Sequence, residues 1–120
     1  MGDGARDRVF KALADGTRRA LLDALADGPR TTGELCARHP EMTRFGVMAH
    51  LRVLEEADLV LVTREGRLRY NHLNPVPVRQ IYERWVRPMA ALQATELTGL
   101  ARAAEERAAV GDRGRNRDEQ

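Results

Sequence analysis

"MTRFGVMAHLRVLEEADLV", residues 42–60, carries two different surfaces on what its spacing predicts to be a single helix. On a 3.6-residue wheel Val47, Leu51 and Leu54 fall on one stripe, with Leu59 following, and that stripe is apolar enough to bury. The other side carries Arg44, Phe45, Met48, Ala49 and Arg52. That face is neither the charged skin of a solvated helix nor a second core face. Its partner must offer hydrogen-bond acceptors and apolar contact together.

Working outward, Thr43 stands where a side-chain oxygen can accept from the first free backbone N–H groups, and His39-Pro40-Glu41 breaks whatever precedes it. Thr31 with Glu34 three residues later is a capping box, which predicts a short helix over about 32–38. Two helices joined by a tight turn result. Upstream, "TRRALLDALADG" (17–28) predicts a helix that buries Leu21, Leu22 and Leu25, is capped by Asp15 or Thr17, and stops at Gly28-Pro29. "RVFKALA" (8–14) predicts a first short helix through Val9, Phe10 and Leu13.

Downstream the period changes from 3.6 to 2. In "LVLVTREGRLRYNHL" (59–73) Val60 and Val62, then Leu68, Tyr70 and His72, alternate around Glu65-Gly66, a hairpin whose tip carries Arg64, Arg67 and Arg69. From Val78 the positions Val78, Ile81, Trp85, Met89 and Leu92 step by three and four, predicting an amphipathic helix towards Arg107 that Pro88 kinks or splits. The last ten residues, "GDRGRNRDEQ" (111–120), are charged and without apolar residues, and predict a disordered tail over 108–120 behind one domain over 1–107.

Bulk charge does not decide function. The 120 residues carry 20 basic and 18 acidic side chains, a net +2, so the distribution of charge has to. Every basic residue but Lys11 is arginine, which suits planar bidentate contacts and would equally follow from a GC-rich genome. A lone cysteine, Cys36, excludes an intrachain disulfide framework and fits a reducing compartment. No apolar run approaches the ~20 residues of a bilayer span, and the N-terminus lacks the basic-then-apolar order of a signal peptide. A cytoplasmic protein without a membrane partner is expected. No phosphate-cradling glycine loop and no recognisable Ser-His-Asp or Cys-His pairing is present, so no enzyme is expected.

The order helix, helix, helix, turn, helix, hairpin, helix is that of a winged helix-turn-helix: mainly α with a small β-hairpin wing. The second helix of such a motif lies in the major groove with its N-terminal residues at base edges. Double-stranded DNA therefore suits the mixed face. Arg44 and Arg52 can donate to guanine or phosphate, Phe45 and Met48 can pack on thymine methyls, and Thr43 can face a phosphate. The wing arginines would reach an adjacent phosphate run or minor groove. Other readings stay open: an exposed Phe45/Met48 patch can serve a protein-interaction module, the wing arginines can be a solvated turn, and His50 can be a hydrogen-bonded residue at the core edge. His72 reads as a strand residue.

"FKALADGTRRALLDAL" (10–25), "TTGELCAR" (31–38), the opening stretch and "REGRLRYNHLNP" (64–75) together resemble the ArsR family of winged-helix regulators over residues 9 to about 92. The resemblance implies a homodimeric repressor that binds an operator palindrome and leaves it when an inducer arrives, here an unidentified small molecule. It places Thr43, Arg44, Met48, Ala49, His50 and Arg52 at recognition-helix positions and Arg64, Arg67 and Arg69 on the wing. The terminal helices would form the dimer contact, with Phe10, Ile81, Trp85, Met89 and Leu92 as candidates. The chain also departs from the family's pattern. Gly16 stands where proline is frequent, and Cys36 is followed at the second position by Arg38 where a metal-sensing branch has a second thiolate. A second branch's histidines on the last helix have no counterpart here. Since a zinc-like site needs three or four converging ligands, no metal and no cofactor are expected. Oxidation of Cys36 is an alternative sensing chemistry, aided by Arg38 and His39 if the thiol is exposed.

Overall fold

Asp15 separates the first two helices and caps the second. The computed structural model describes residues 2–118, with side chains described for 2–92 and 99–110. Helix α1 spans Asp3–Leu13 and α2 spans Gly16–Leu25. The Asp15 carboxylate accepts from the Arg18 N–H at 3.1 Å, and this bond holds its carboxyl below the usual range. Helix α1 starts ahead of the expected Arg8 because its first turn is polar and invisible to apolar spacing, while Asp3 there suits the positive end of the helix dipole. Beyond α2 the chain turns at Gly28, whose φ of +141° only glycine adopts readily.

A two-residue strand, β1 (Arg30–Thr31), leads into α3 (Thr32–Arg38), where Thr31 Oγ1 accepts from the Glu34 N–H at 3.1 Å. Helix α4 (Arg44–Glu56) begins the same way, Thr43 Oγ1 accepting from Gly46 N–H at 3.0 Å. A Cβ at residue 46 would stand 3.3 Å from that oxygen, so glycine leaves the cap uncrowded. Beyond α4, Asp58 takes a left-handed φ of 58°. It is held by its own N–H to the Glu55 carbonyl at 2.9 Å and by Asn74 Nδ2 donating to its carbonyl at 2.8 Å.

Strands β2 (Val60–Glu65) and β3 (Leu68–Leu73) form the hairpin, and β3 also pairs antiparallel with β1 in a sheet of order β1-β3-β2. The turn is Gly66-Arg67, with Gly66 at φ +60°, as a two-residue hairpin loop with glycine first requires. That short turn pairs Val60 with Leu73 and Val62 with Asn71, so odd positions of β3 share the inward face with even positions of β2. The inward positions of β3 are therefore Asn71 and Leu73, while Leu68 is half exposed. Asn71 is fully buried and donates to the Arg30 carbonyl at 3.3 Å and to Thr32 Oγ1 at 3.1 Å, tying β3 to β1 and the start of α3.

The core is assembled from one stripe of each helix: Val9 and Ala12 of α1, Leu21 and Leu25 of α2, Leu35 of α3, and Val47, Leu51 and Leu54 of α4. Leu59 and Val60 close it at the root of β2. Burying α4's apolar stripe this way fixes which residues it turns outward.

Helix α5 (Val76–Ile81) is started by Asn74 Oδ1 accepting from the Val76 N–H. A π-helical turn over Tyr82–Val86 and a helix α6 (Arg87–Asp118) follow. Pro88 explains the wide turn: it has no N–H for the carbonyl four residues back, and its ring would collide with that carbonyl in an α-helix. The chain divides into two compact units, the first ending at Ile81 and the second beginning at Tyr82. Backbone helix continues past Arg107 to Asp118. The Ala- and Glu-rich residues 101–109 ahead of that segment are strong helix formers.

A candidate nucleic-acid interface on α4 and the wing

With Val47, Leu51 and Leu54 sealed in the core, α4 presents Arg44, Phe45, Met48, Ala49 and Arg52 to solvent. Phe45 is 83% exposed, an unusual position for an aromatic side chain without a partner surface. Thr43 is exposed at the head of this face; its oxygen is occupied by the cap, which leaves the hydroxyl hydrogen to donate.

His50 is placed differently from its neighbours. It is half-buried, and its Nδ1 accepts from Arg18 Nη1 at 3.3 Å. The same guanidinium donates through Nε to the Ala12 carbonyl and through Nη2 to the Lys11 carbonyl, both at 2.8 Å. One arginine thus closes the end of α1, sits beside the Asp15 cap of α2 and fixes the flank of α4. Sequence spacing could not disclose this, since Arg18 and His50 lie on different helices. The hydrogen-bonded, core-edge description fits His50.

The three wing arginines separate. Arg64 and Arg67 are exposed at the tip, whereas Arg69 lies inward and donates from Nη2 to Glu55 of α4. The register is the reason, because Arg69 shares the inward face with Asn71. Arg69 therefore ties the wing to α4. On the outer face, Thr63 Oγ1 and His72 Nε2 share a hydrogen bond of 2.8 Å. In the turn between α3 and α4, His39 Nδ1 lies 3.3 Å from Glu41, and the Glu41 carboxyl is lowered chiefly by its own backbone N–H, with His39 adding to it.

Cys36 is half-buried against the core. Among the described residues no three His, Cys, Asp or Glu side chains gather as metal ligands, and no helix is long and apolar enough to cross a membrane. Of the residues expected at a dimer contact, Phe10, Met89 and Leu92 are exposed and Trp85 is half-buried with the Arg84 guanidinium 5.3 Å from its ring. Ile81 packs against the core of its own unit.

This arrangement has close counterparts. A helix-turn-helix domain model matches residues 13–63. The crystal structure of the ArsR family transcriptional regulator RHA00566 superposes with a TM-score of 0.68 at 29% identity, covering 79% of this chain and 96% of that one. A possible transcriptional regulator for arsenical resistance is 33% identical, with a TM-score of 0.57 over 78% of this chain and 92% of its own. The chain belongs to the ArsR family of winged helix-turn-helix transcriptional regulators. Also similar is the homodimeric winged helix-turn-helix DNA-binding domain of Mb0332 from Mycobacterium bovis, a possible ArsR-family transcriptional regulator, 28% identical with a TM-score of 0.59 over 78% of this chain and 93% of that one. No curated protein matches the chain. As an ArsR-family protein the chain is a DNA-binding transcriptional regulator rather than an enzyme. Its α3 and α4 are the helix-turn-helix, and β2 and β3 are the wing.

Proposed function

We propose that the protein is a homodimeric repressor that acts in the cytoplasm, reads an inverted-repeat operator with α4 and is released by a small-molecule inducer. The observation that carries the reading is the outward face of α4, on which two arginines flank an exposed phenylalanine and methionine over a sealed apolar stripe. Arg44 and Arg52 would donate to guanine O6 and N7 or to phosphates, Phe45, Met48 and Ala49 would lie against thymine methyls, and Thr43 would donate to a phosphate. Arg64 and Arg67 would meet the backbone beside the groove, while Arg69 and His50 hold the reading head in place from behind.

One helix contacts too few bases for specific regulation, so a dimer is required, and its two-fold axis demands half-sites about 34 Å apart or a multiple of that. Phe10, Trp85, Met89 and Leu92 are the proposed dimer contacts. The partly buried thiol of Cys36 gives little support to a redox sensor, and the α4 face suits DNA better than a protein partner because its apolar pair is bracketed by guanidinium groups.

Selection of duplexes from a random pool at near-physiological salt tests the proposal. An inverted repeat bound roughly a thousandfold or more above scrambled DNA is the expected result. Emergence of no motif, with residual binding vanishing as salt rises, would overturn it.

A further inference from the structure

A cavity of about 300 Å³ opens beside the end of the reading helix, wholly within the unit that ends at Ile81. Its walls come from three places: Ala5, Arg8 and Val9 of α1; Glu56, Ala57 and Asp58 at the close of α4; and Leu61, Asn74, Val76 and Pro77 at the root of the wing and the start of α5. Its size is at the lower end of small-molecule sites, and its lining joins six apolar residues to five polar or charged ones. Val9 and Ala57 are buried beneath it, while Leu61 and Val76 remain half exposed at its rim.

The charged groups around it give the ligand its sign. Glu56 and Asp58 contribute two carboxylates against the single guanidinium of Arg8, and none of the three has an ion pair among the described residues. Two unpaired acids beside the apolar side chains of Val9 and Ala57 favour a cation carrying a hydrocarbon body, with Gln80 available for a second polar group.

The position of the cavity connects it to DNA. Asp58 holds the left-handed φ that ends α4, and Asn74, which also lines the cavity, clamps it there. A ligand engaging Asp58 acts on the joint between the reading helix and the wing.

We propose that this cavity binds a small organic amine with an apolar body, and that its occupation weakens operator binding by altering the α4–wing joint. The second half rests on the DNA-binding function proposed above; the first does not.

The test uses the full-length, isotope-labelled protein without DNA, titrated with phenethylamine, its neutral isostere 2-phenylethanol and its anionic isostere phenylacetate, followed by amide chemical shifts. Phenethylamine should shift Arg8, Ala57, Asp58, Leu61 and Asn74 and bind about fivefold to tenfold more tightly than 2-phenylethanol, with phenylacetate weakest. A Glu56→Gln/Asp58→Asn variant should keep the wild-type spectrum elsewhere and bind the amine and the alcohol alike. Absence of shifts at these residues with all three probes overturns the site. Equal binding of all three overturns the cation assignment, and shifts that appear only on dilution to monomer overturn it in favour of a second copy covering the cavity. With the site filled, affinity for the selected operator should fall at least fivefold. Amine binding at these residues with unchanged operator affinity overturns the coupling alone, and failure of the random-pool selection leaves the DNA-free titration intact.

Discussion

Removing the link between the wing and the reading helix should cost different amounts from its two ends. Arg69 and Glu55 are 23% and 34% exposed as side chains, between the surface regime, where a pair contributes up to about 1 kcal/mol, and the buried one, where breaking it costs about 3–5 kcal/mol. Arg69 Nε is buried without a hydrogen-bond partner, so the guanidinium already lacks one acceptor. Glu55→Ala removes its remaining anchor and leaves a cation in a half-dry site, and a loss of about 2 kcal/mol is expected. Arg69→Met keeps the apolar stem, removes the unpartnered Nε–H and frees the more exposed Glu55 to find water. Its loss should be about 0.5–1 kcal/mol. Urea unfolding at fixed protein concentration, with an m-value of about 1.5 kcal/mol/M, would show midpoints lower by roughly 1.3 M and 0.5 M respectively. The double variant should show a coupling of about 1 kcal/mol. A coupling near zero, or an Arg69→Met loss as large as that of Glu55→Ala, would refute the assignment of Arg69 to the wing–helix link.

Three further outcomes are expected. Asn71→Leu should lower stability by about 2 kcal/mol in the same assay, because the Arg30 carbonyl and Thr32 hydroxyl lose their buried donor. Thr31→Ala should cost about 1 kcal/mol through loss of the α3 cap while Thr31→Ser stays near wild type, and equal losses from both would show that the methyl group and not the oxygen matters. Since the Asp15 carboxyl is lowered on folding, its contribution is present above the ordinary aspartate value and disappears as pH falls through the lowered one. The stability gap between wild type and Asp15→Ala should accordingly narrow in acid, which a series of urea titrations across that range would record.

What could be read from the sequence was whatever local chemistry determines. Asp15, Thr31 and Thr43 announced their helices because a cap is a property of three or four consecutive residues, and the buried stripe of α4 followed from its period alone. Strand β1 escaped because two residues have no period. Which face of β3 turns inward could not be read, because parity across a hairpin is set by turn length, and counting alternation on each strand separately cannot supply it. The buried Asn71 and the inward Arg69 escaped for that reason. Arg18 could not be linked to His50 for a related reason: contacts between helices 32 positions apart have no local signature. Pro88 gave a correct warning of disturbed helix, and the structure specifies its form as a π turn.

In the proposed complex α4 reads bases while the wing tip holds the backbone. The most direct measurement compares wild type, Arg44→Ala and Arg67→Ala on the selected operator and on its single base-pair variants over a range of salt. Arg44→Ala should lose about 1–3 kcal/mol on the operator and become indifferent at one or two positions in each half-site, whereas Arg67→Ala should weaken every sequence alike and reduce the salt slope by about one. Equal losses from both variants on every sequence would show that Arg44 reads no base and that α4 and the wing share one nonspecific role.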